Sequence, residues 1–99
     1  MALFAITYRY AKEPVRIAEH RPAHREYLQS LLGAGGLIAS GPVAGEAGPG
    51  ALLLCDLASV ADVEAALNLD PFWTLGLIDS REIGEWSVVF GSIGREGEH

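Results

Sequence analysis

Ala51-Leu52-Leu53-Leu54-Cys55-Asp56-Leu57 is the stretch whose reading decides the fold. It is nearly all apolar, short and preceded by a glycine- and proline-rich loop, so it reads as a strand. Side chains along a strand alternate between faces, which puts Ala51, Leu53, Cys55 and Leu57 on one side and Leu52 and Leu54 on the other. A strand apolar on both sides belongs to a sheet covered on both faces.

Working outward, Leu3 to Tyr10 also alternate, with Phe4, Ile6, Tyr8 and Tyr10 on one face, and form a first strand. Ala11-Lys12-Glu13-Pro14 is a turn, and Val15 to His20 reads equally as a helical turn or an irregular segment. Pro22 suits the first position of a helix, where a missing N–H costs nothing. His24, Leu28, Leu31 and Leu32 then follow helical spacing, up to a cap supplied by Gly33, Gly35 and Gly36. Leu37 to Ser40 is a short strand closed by Gly41-Pro42, and Val43 to Gly50 is a glycine-rich loop. Beyond the central strand, Ser59 and Asp62 resemble a capping box at the head of a helix from Val60 to about Asn68, burying Val60, Val63, Ala66 and Leu67. Asp70-Pro71 opens a second short helical piece. Residues from about Ile83 to Phe90 form the last strand, with Trp86, Val88 and Phe90 opposite Ile83 and Val89.

The order β-α-β-β-α-β is the split βαβ arrangement, an α+β, ferredoxin-like fold with a four-stranded antiparallel sheet and both helices on one face. The far face stays apolar, and a second copy of the chain is its simplest cover. The expectation is a homodimer packed sheet to sheet, with any cavity between sheet and helices.

Composition narrows the function. Ninety-nine residues suit one domain over 1–99, with a core at about 2–90 and a flexible tail over 91–99. The formal charge of −6 works against nucleic acid and anionic membrane as partners. No apolar run reaches the ~18 residues of a membrane span. The first residues read as a strand and not as a leader, which points to the cytoplasm. The single cysteine, Cys55, excludes an internal disulfide and the zinc-finger classes, and reads as a small buried hydrophobe. Arg16, Arg21 and Arg25 fall close together, as a solvated helix face or a place for a small anion.

Few residues can carry chemistry. His24 falls in the first turn of the helix opened by Pro22, where the helix dipole favours the neutral imidazole that can act as a base. Asp70 is an ordinary N-cap before proline, yet a carboxylate has enough acceptor sites to cap and to orient His24 together. His20 and His24 have metal-ligand spacing, but Pro22 interrupts the helix between them and no third ligand is evident, so no metal is expected. Ser40-Gly41-Pro42 ends a strand with a backbone that a ligand can approach closely. No phosphate loop, dinucleotide fingerprint or nucleophile elbow is present.

Arg21-Pro22-Ala23-His24-Arg25-Glu26-Tyr27-Leu28, Gly36-Leu37-Ile38-Ala39-Ser40-Gly41-Pro42, and Asp70-Pro71-Phe72 followed by Gly76-Leu77, in that order, resemble the YCII-related (YciI-like) family over about Leu3 to Phe90. The resemblance implies a dimeric α+β barrel similar to muconolactone isomerase, which agrees with the two-faced sheet. It also implies a His–Asp active site at His24 and Asp70. One branch of the family eliminates chloride from a chlorinated hydroxyquinol. The short Val43 to Gly50 loop departs from longer relatives and bears on substrate identity. The expectation is a cofactor-free lyase or isomerase acting on a small cyclic or aromatic molecule. In it His24 is the acid–base group, Asp70 its orienting partner, and Ser40, Gly41, Pro42, Tyr8, Phe72 and Trp73 line the pocket. The other reading is a non-catalytic small-molecule-binding or dimeric interaction domain.

Overall fold

A computed structural model describes residues 2–93. In chain order the elements are β1 (Ala2–Tyr10), α1 (Pro14–Gly33), β2 (Leu37–Val43), β3 (Gly50–Leu57), α2 (Val60–Leu67), α3 (Pro71–Thr74) and β4 (Ile78–Glu85). The four strands lie in the order β2-β3-β1-β4 and every neighbouring pair is antiparallel. This is the ferredoxin-like arrangement expected from the order of elements.

One core holds it together. Phe4, Ile6 and Tyr8 of β1 and Leu53 and Cys55 of β3 point to the helices, where they meet Ile17 and Leu28 of α1, Val63 and Leu67 of α2, and Phe72 of α3. The Tyr27 hydroxyl donates to the Ala66 carbonyl (2.6 Å) and ties α1 to α2. Gly50 starts β3 where its chain passes close to β1: a Cβ there would collide with the Tyr8 carbonyl oxygen. The opposite face carries Leu52 and Leu54, and Leu52 remains 43% exposed.

Several boundaries differ from the sequence expectation. Pro14, not Pro22, takes the first helical position, so α1 begins eight residues earlier than Pro22 suggests (22 − 14). Arg16 helps anchor this first turn by pairing with Glu13 (3.0 Å) and donating to the Leu75 carbonyl (3.3 Å). Pro22 then lies inside a continuous helix. It and Ala18, whose carbonyl loses its helical partner, both face solvent, where water can take the orphaned acceptor. His24 is consequently in mid-helix, and the helix-dipole argument for its neutral form does not apply. The buried stripe of α1 is Ile17, His24 and Leu28, whereas Leu32 is 43% exposed. In α2, Val63 and Leu67 are buried but Val60 is exposed. Gly35 closes α1 with φ of 88°, the left-handed conformation expected of the glycine cluster.

The two edge strands moved most. β2 runs on to Val43, and an extra residue at Ile38 shifts its register between Leu37 and Ala39. That bulge brings Ser40 opposite Leu53 and Pro42 opposite Ala51, both on the helix side of the sheet. β4 is Ile78–Glu85 and not the Ile83 to Phe90 stretch, and Phe90 lies beyond it, 93% exposed. Of the tail expected to be flexible, residues 94–99 fall outside the described residues.

Cys55 is fully buried, and burial pushes its thiol up to about 11. The native protein is expected to resist iodoacetamide at pH 8, while the chain in denaturant reacts at once; rapid labelling of the native state would contradict this packing. Because the folded thiol ionises later than the unfolded one, whose ordinary value is 9.0, stability is full below pH 9 and falls as pH rises toward 11. Burial and the neighbouring Asp70 charge push the Tyr8 phenol the same way.

Candidate active site

Three elements converge on one carboxylate. Asp70 precedes Pro71 and caps α3, accepting from the Phe72 N–H at Oδ1 (2.9 Å). His24, on the buried stripe of α1, brings Nδ1 to 2.8 Å from Oδ1 and 3.0 Å from Oδ2. Tyr8 of β1 donates its hydroxyl to Oδ2 at 3.2 Å. Asp70 is wholly buried, and these three contacts satisfy its oxygens away from water. Capping and contact with His24 therefore coexist in one side chain.

This arrangement sets the imidazole. A carboxylate that already accepts from an amide and a phenol requires Nδ1 to carry the hydrogen, leaving the Nε2 lone pair as the basic site. Nε2 has no hydrogen-bond partner among the described residues. Phe72 fixes the plane of the ring by stacking flat against it, with centroids 4.0 Å apart and planes 4° from parallel. Tyr10 in turn packs edge-on to Phe72 at 5.6 Å. Tyr8 remains a protonated phenol and hence a permanent donor, because burial and then the Asp70 charge raise its pKa well above the ordinary value.

His24 lies on the wall of a cavity of about 730 Å³ between α1 and the β2 side of the sheet. Ser40, Gly41 and Pro42 line the facing wall, brought there by the β2 bulge. Of the residues expected to form a pocket, Tyr8 and Phe72 sit behind the His–Asp pair as supports and do not line the cavity. Trp73 points elsewhere: the Arg81 guanidinium stacks over its ring at 3.8 Å. Sequence reasoning missed Tyr10, which lines the cavity, and left Arg21 and Arg25 undecided although both line it too. Their spacing from His24 along α1 was the available signal. Although α1 is continuous through Pro22, no group of three or more His, Cys, Asp or Glu among the described residues is placed to hold a metal ion. Nor is any helix among them long and apolar enough to cross a membrane.

Comparison with known proteins gives consistent results. The family model of the YCII-related domain matches residues 2–87. No curated protein sequence matches the chain. Among solved structures, it is similar to 5-chloro-2-hydroxyhydroquinone dehydrochlorinase of Burkholderia phenoliruptrix, with a TM-score of 0.72 and 22% identity over 86% of this chain and 93% of that one. That enzyme was solved with 2,5-dihydroxybenzoquinone. A protein from Agrobacterium tumefaciens is similar with a TM-score of 0.57 and 20% identity, covering 90% of this chain and 94% of its own. A NIPSNAP family protein from the same organism follows with a TM-score of 0.55 and 21% identity, covering 94% and 97%. At these identities the structural likenesses establish the fold.

Proposed function

The chain belongs to the YCII-related family, and from that premise we propose that it is a cytoplasmic, cofactor-free acid–base enzyme, a lyase or isomerase acting on a small cyclic or aromatic molecule. The observation that carries this reading is the His24–Asp70 contact of 2.8 Å at the wall of an open cavity. Nε2 of His24 takes a proton from the substrate, the imidazolium is stabilised by Asp70, and the same nitrogen returns the proton to a leaving group or to another ring atom. The first outcome is an elimination and the second an isomerisation. Ser40 and the Gly41 backbone position the substrate across the cavity. The similar dehydrochlorinase, with a small quinone in its structure, is consistent with this substrate class. A purely binding role would account for Asp70 as a structural tie, but not for a histidine at the cavity wall whose Nε2 has no hydrogen-bond partner among the described residues.

The test is incubation of the protein in D2O with small phenols, quinones and lactones, including a chlorinated hydroxyquinol, followed by proton NMR. Elimination or deuterium exchange that is present in the wild type and lost in His24→Ala is expected. Turnover unchanged in His24→Ala would refute the reading.

The working unit in this proposal is a homodimer. Ala5, Leu52, Leu54, Gly84, Glu85 and Trp86 surround a shallow, mainly apolar hollow on the sheet face away from the helices, and Trp86 is 42% exposed there. A second copy packed on this face removes that apolar area from water. Light scattering is expected to give a dimer for the wild type and a monomer for Leu52→Lys; a monomeric wild type at micromolar concentration would overturn it.

A further inference from the structure

Two cations on the cavity wall have no partner among the described residues. Arg21 and Arg25 both line the cavity that holds His24. Four residues apart on α1, they stand on one helix face at about 5–6 Å between Cβ atoms. The other described arginines are occupied. Arg9 donates to the Ala47 carbonyl, Arg16 pairs with Glu13, and Arg81 donates to Asn68 while covering Trp73. Neither Arg21 nor Arg25 makes a hydrogen bond or ion pair within the described residues, in a chain whose formal charge is −6.

Their charges also reach the same place. Burial raises the pKa of the Tyr10 phenol, the Arg21 charge opposes that rise, and the Asp70 charge, which adds to it, is countered in turn by Arg25. Tyr10 lines the same cavity from β1, so the two guanidinium groups act on the space between helix and sheet and not only on solvent. Leu28, Leu37 and Leu53 supply apolar wall beyond them.

We propose that Arg21 and Arg25 form an anion subsite of the cavity, and that its ligand is a small planar ring bearing a carboxylate. The carboxylate lies on the two guanidinium groups, whose planar forks match it. The ring lies against the leucine wall. Placing that ring beside Nε2 of His24 rests on the acid–base reading above, whereas the subsite itself does not. A cavity of about 730 Å³ is ample for a monocyclic acid.

Titration calorimetry with para-hydroxybenzoate and its neutral amide tests the proposal on the wild type, Arg21→Gln/Arg25→Gln, Arg21→Lys/Arg25→Lys and His24→Ala. The wild type is expected to favour the acid by about tenfold or more, as charge-assisted hydrogen bonds imply. The preference disappears in the glutamine variant, returns in part in the lysine variant and persists in His24→Ala. Both arginine positions are at least partly exposed, and an unchanged melting temperature confirms that the variants fold. Failure of the wild type to bind the acid, equal binding of acid and amide, or a preference surviving the glutamine substitutions would overturn the subsite. Inorganic phosphate binding as tightly as the acid would overturn the carboxylate assignment. Turnover surviving in His24→Ala while the acid preference holds would instead refute the acid–base reading and leave the subsite standing.

Discussion

His24→Ala is expected to lower turnover by about 10²–10⁴-fold, the range that a positioned acid–base group supplies. The fold should survive the change. Asp70 loses one of three donors but keeps the Phe72 N–H at 2.9 Å and the Tyr8 hydroxyl at 3.2 Å, and the vacated volume opens onto an existing cavity. Denaturant unfolding should therefore show a loss of only about 1–3 kcal/mol, the cost of leaving a charged acceptor short of one partner. Partial recovery of turnover by added imidazole separates loss of the reacting group from loss of structure. Turnover that stays high, or an unfolded variant, would be the contrary result.

Asp70 is expected to give the largest effect on stability. Asp70→Ala removes the α3 cap, worth about 0.5–2 kcal/mol, and leaves the Tyr8 hydroxyl, buried to 1% exposure, without its acceptor. A buried unsatisfied group costs about 1–3 kcal/mol, so the total loss should be about 1.5–5 kcal/mol out of the ~5–15 typical of a domain. Asp70→Asn should behave differently. Its carbonyl oxygen can keep the cap, but its NH2 group stands where Oδ2 accepted from the Tyr8 hydroxyl, so the loss of stability in urea should be smaller than that of Asp70→Ala without vanishing. It has no charge to stabilise an imidazolium, and turnover should fall roughly 100-fold or more. An Asp70→Asn protein with full activity would separate Asp70 from the proposed chemistry and leave it a cap alone.

The architecture was readable from the sequence because β1, β3 and α2 each keep one uninterrupted periodicity. The edge strands were harder for a specific reason. In β4 the register slips between Arg9 and Tyr10, with Ile78 paired to Tyr10 and Ser80 to Arg9, so Asp79 is an extra residue. Ile78 and Ile83 therefore both face the helices although they stand five positions apart, an odd interval that a simple alternation assigns to opposite faces. The more hydrophobic Trp86 to Phe90 stretch then resembled the strand better than the strand did. Pro22 misled in the same way, since its preference for a helix start is met at Pro14, and its missing donor matters little on a wet face. His24 and Asp70 were legible as single residues, and their meeting followed from the family resemblance. Arg21 and Arg25 were ambiguous because i, i+4 spacing describes a solvated face as well as a cavity wall. Only the position of β2 across from them distinguishes the two.

The carboxylate that joins β1, α1 and α3 also bears on how this chain's descendants would diverge. If the proposed chemistry holds, a lineage that abandoned it would still be selected to keep Asp70, since losing it loosens three elements together. An aspartate at this position in some other sequence is thus a mark of inheritance and says little about activity. The residues free to drift once a reaction is lost are those the fold does not use, Arg21, Arg25 and Ser40 at the cavity wall. Their persistence or scatter among relatives is where a history of use would be written.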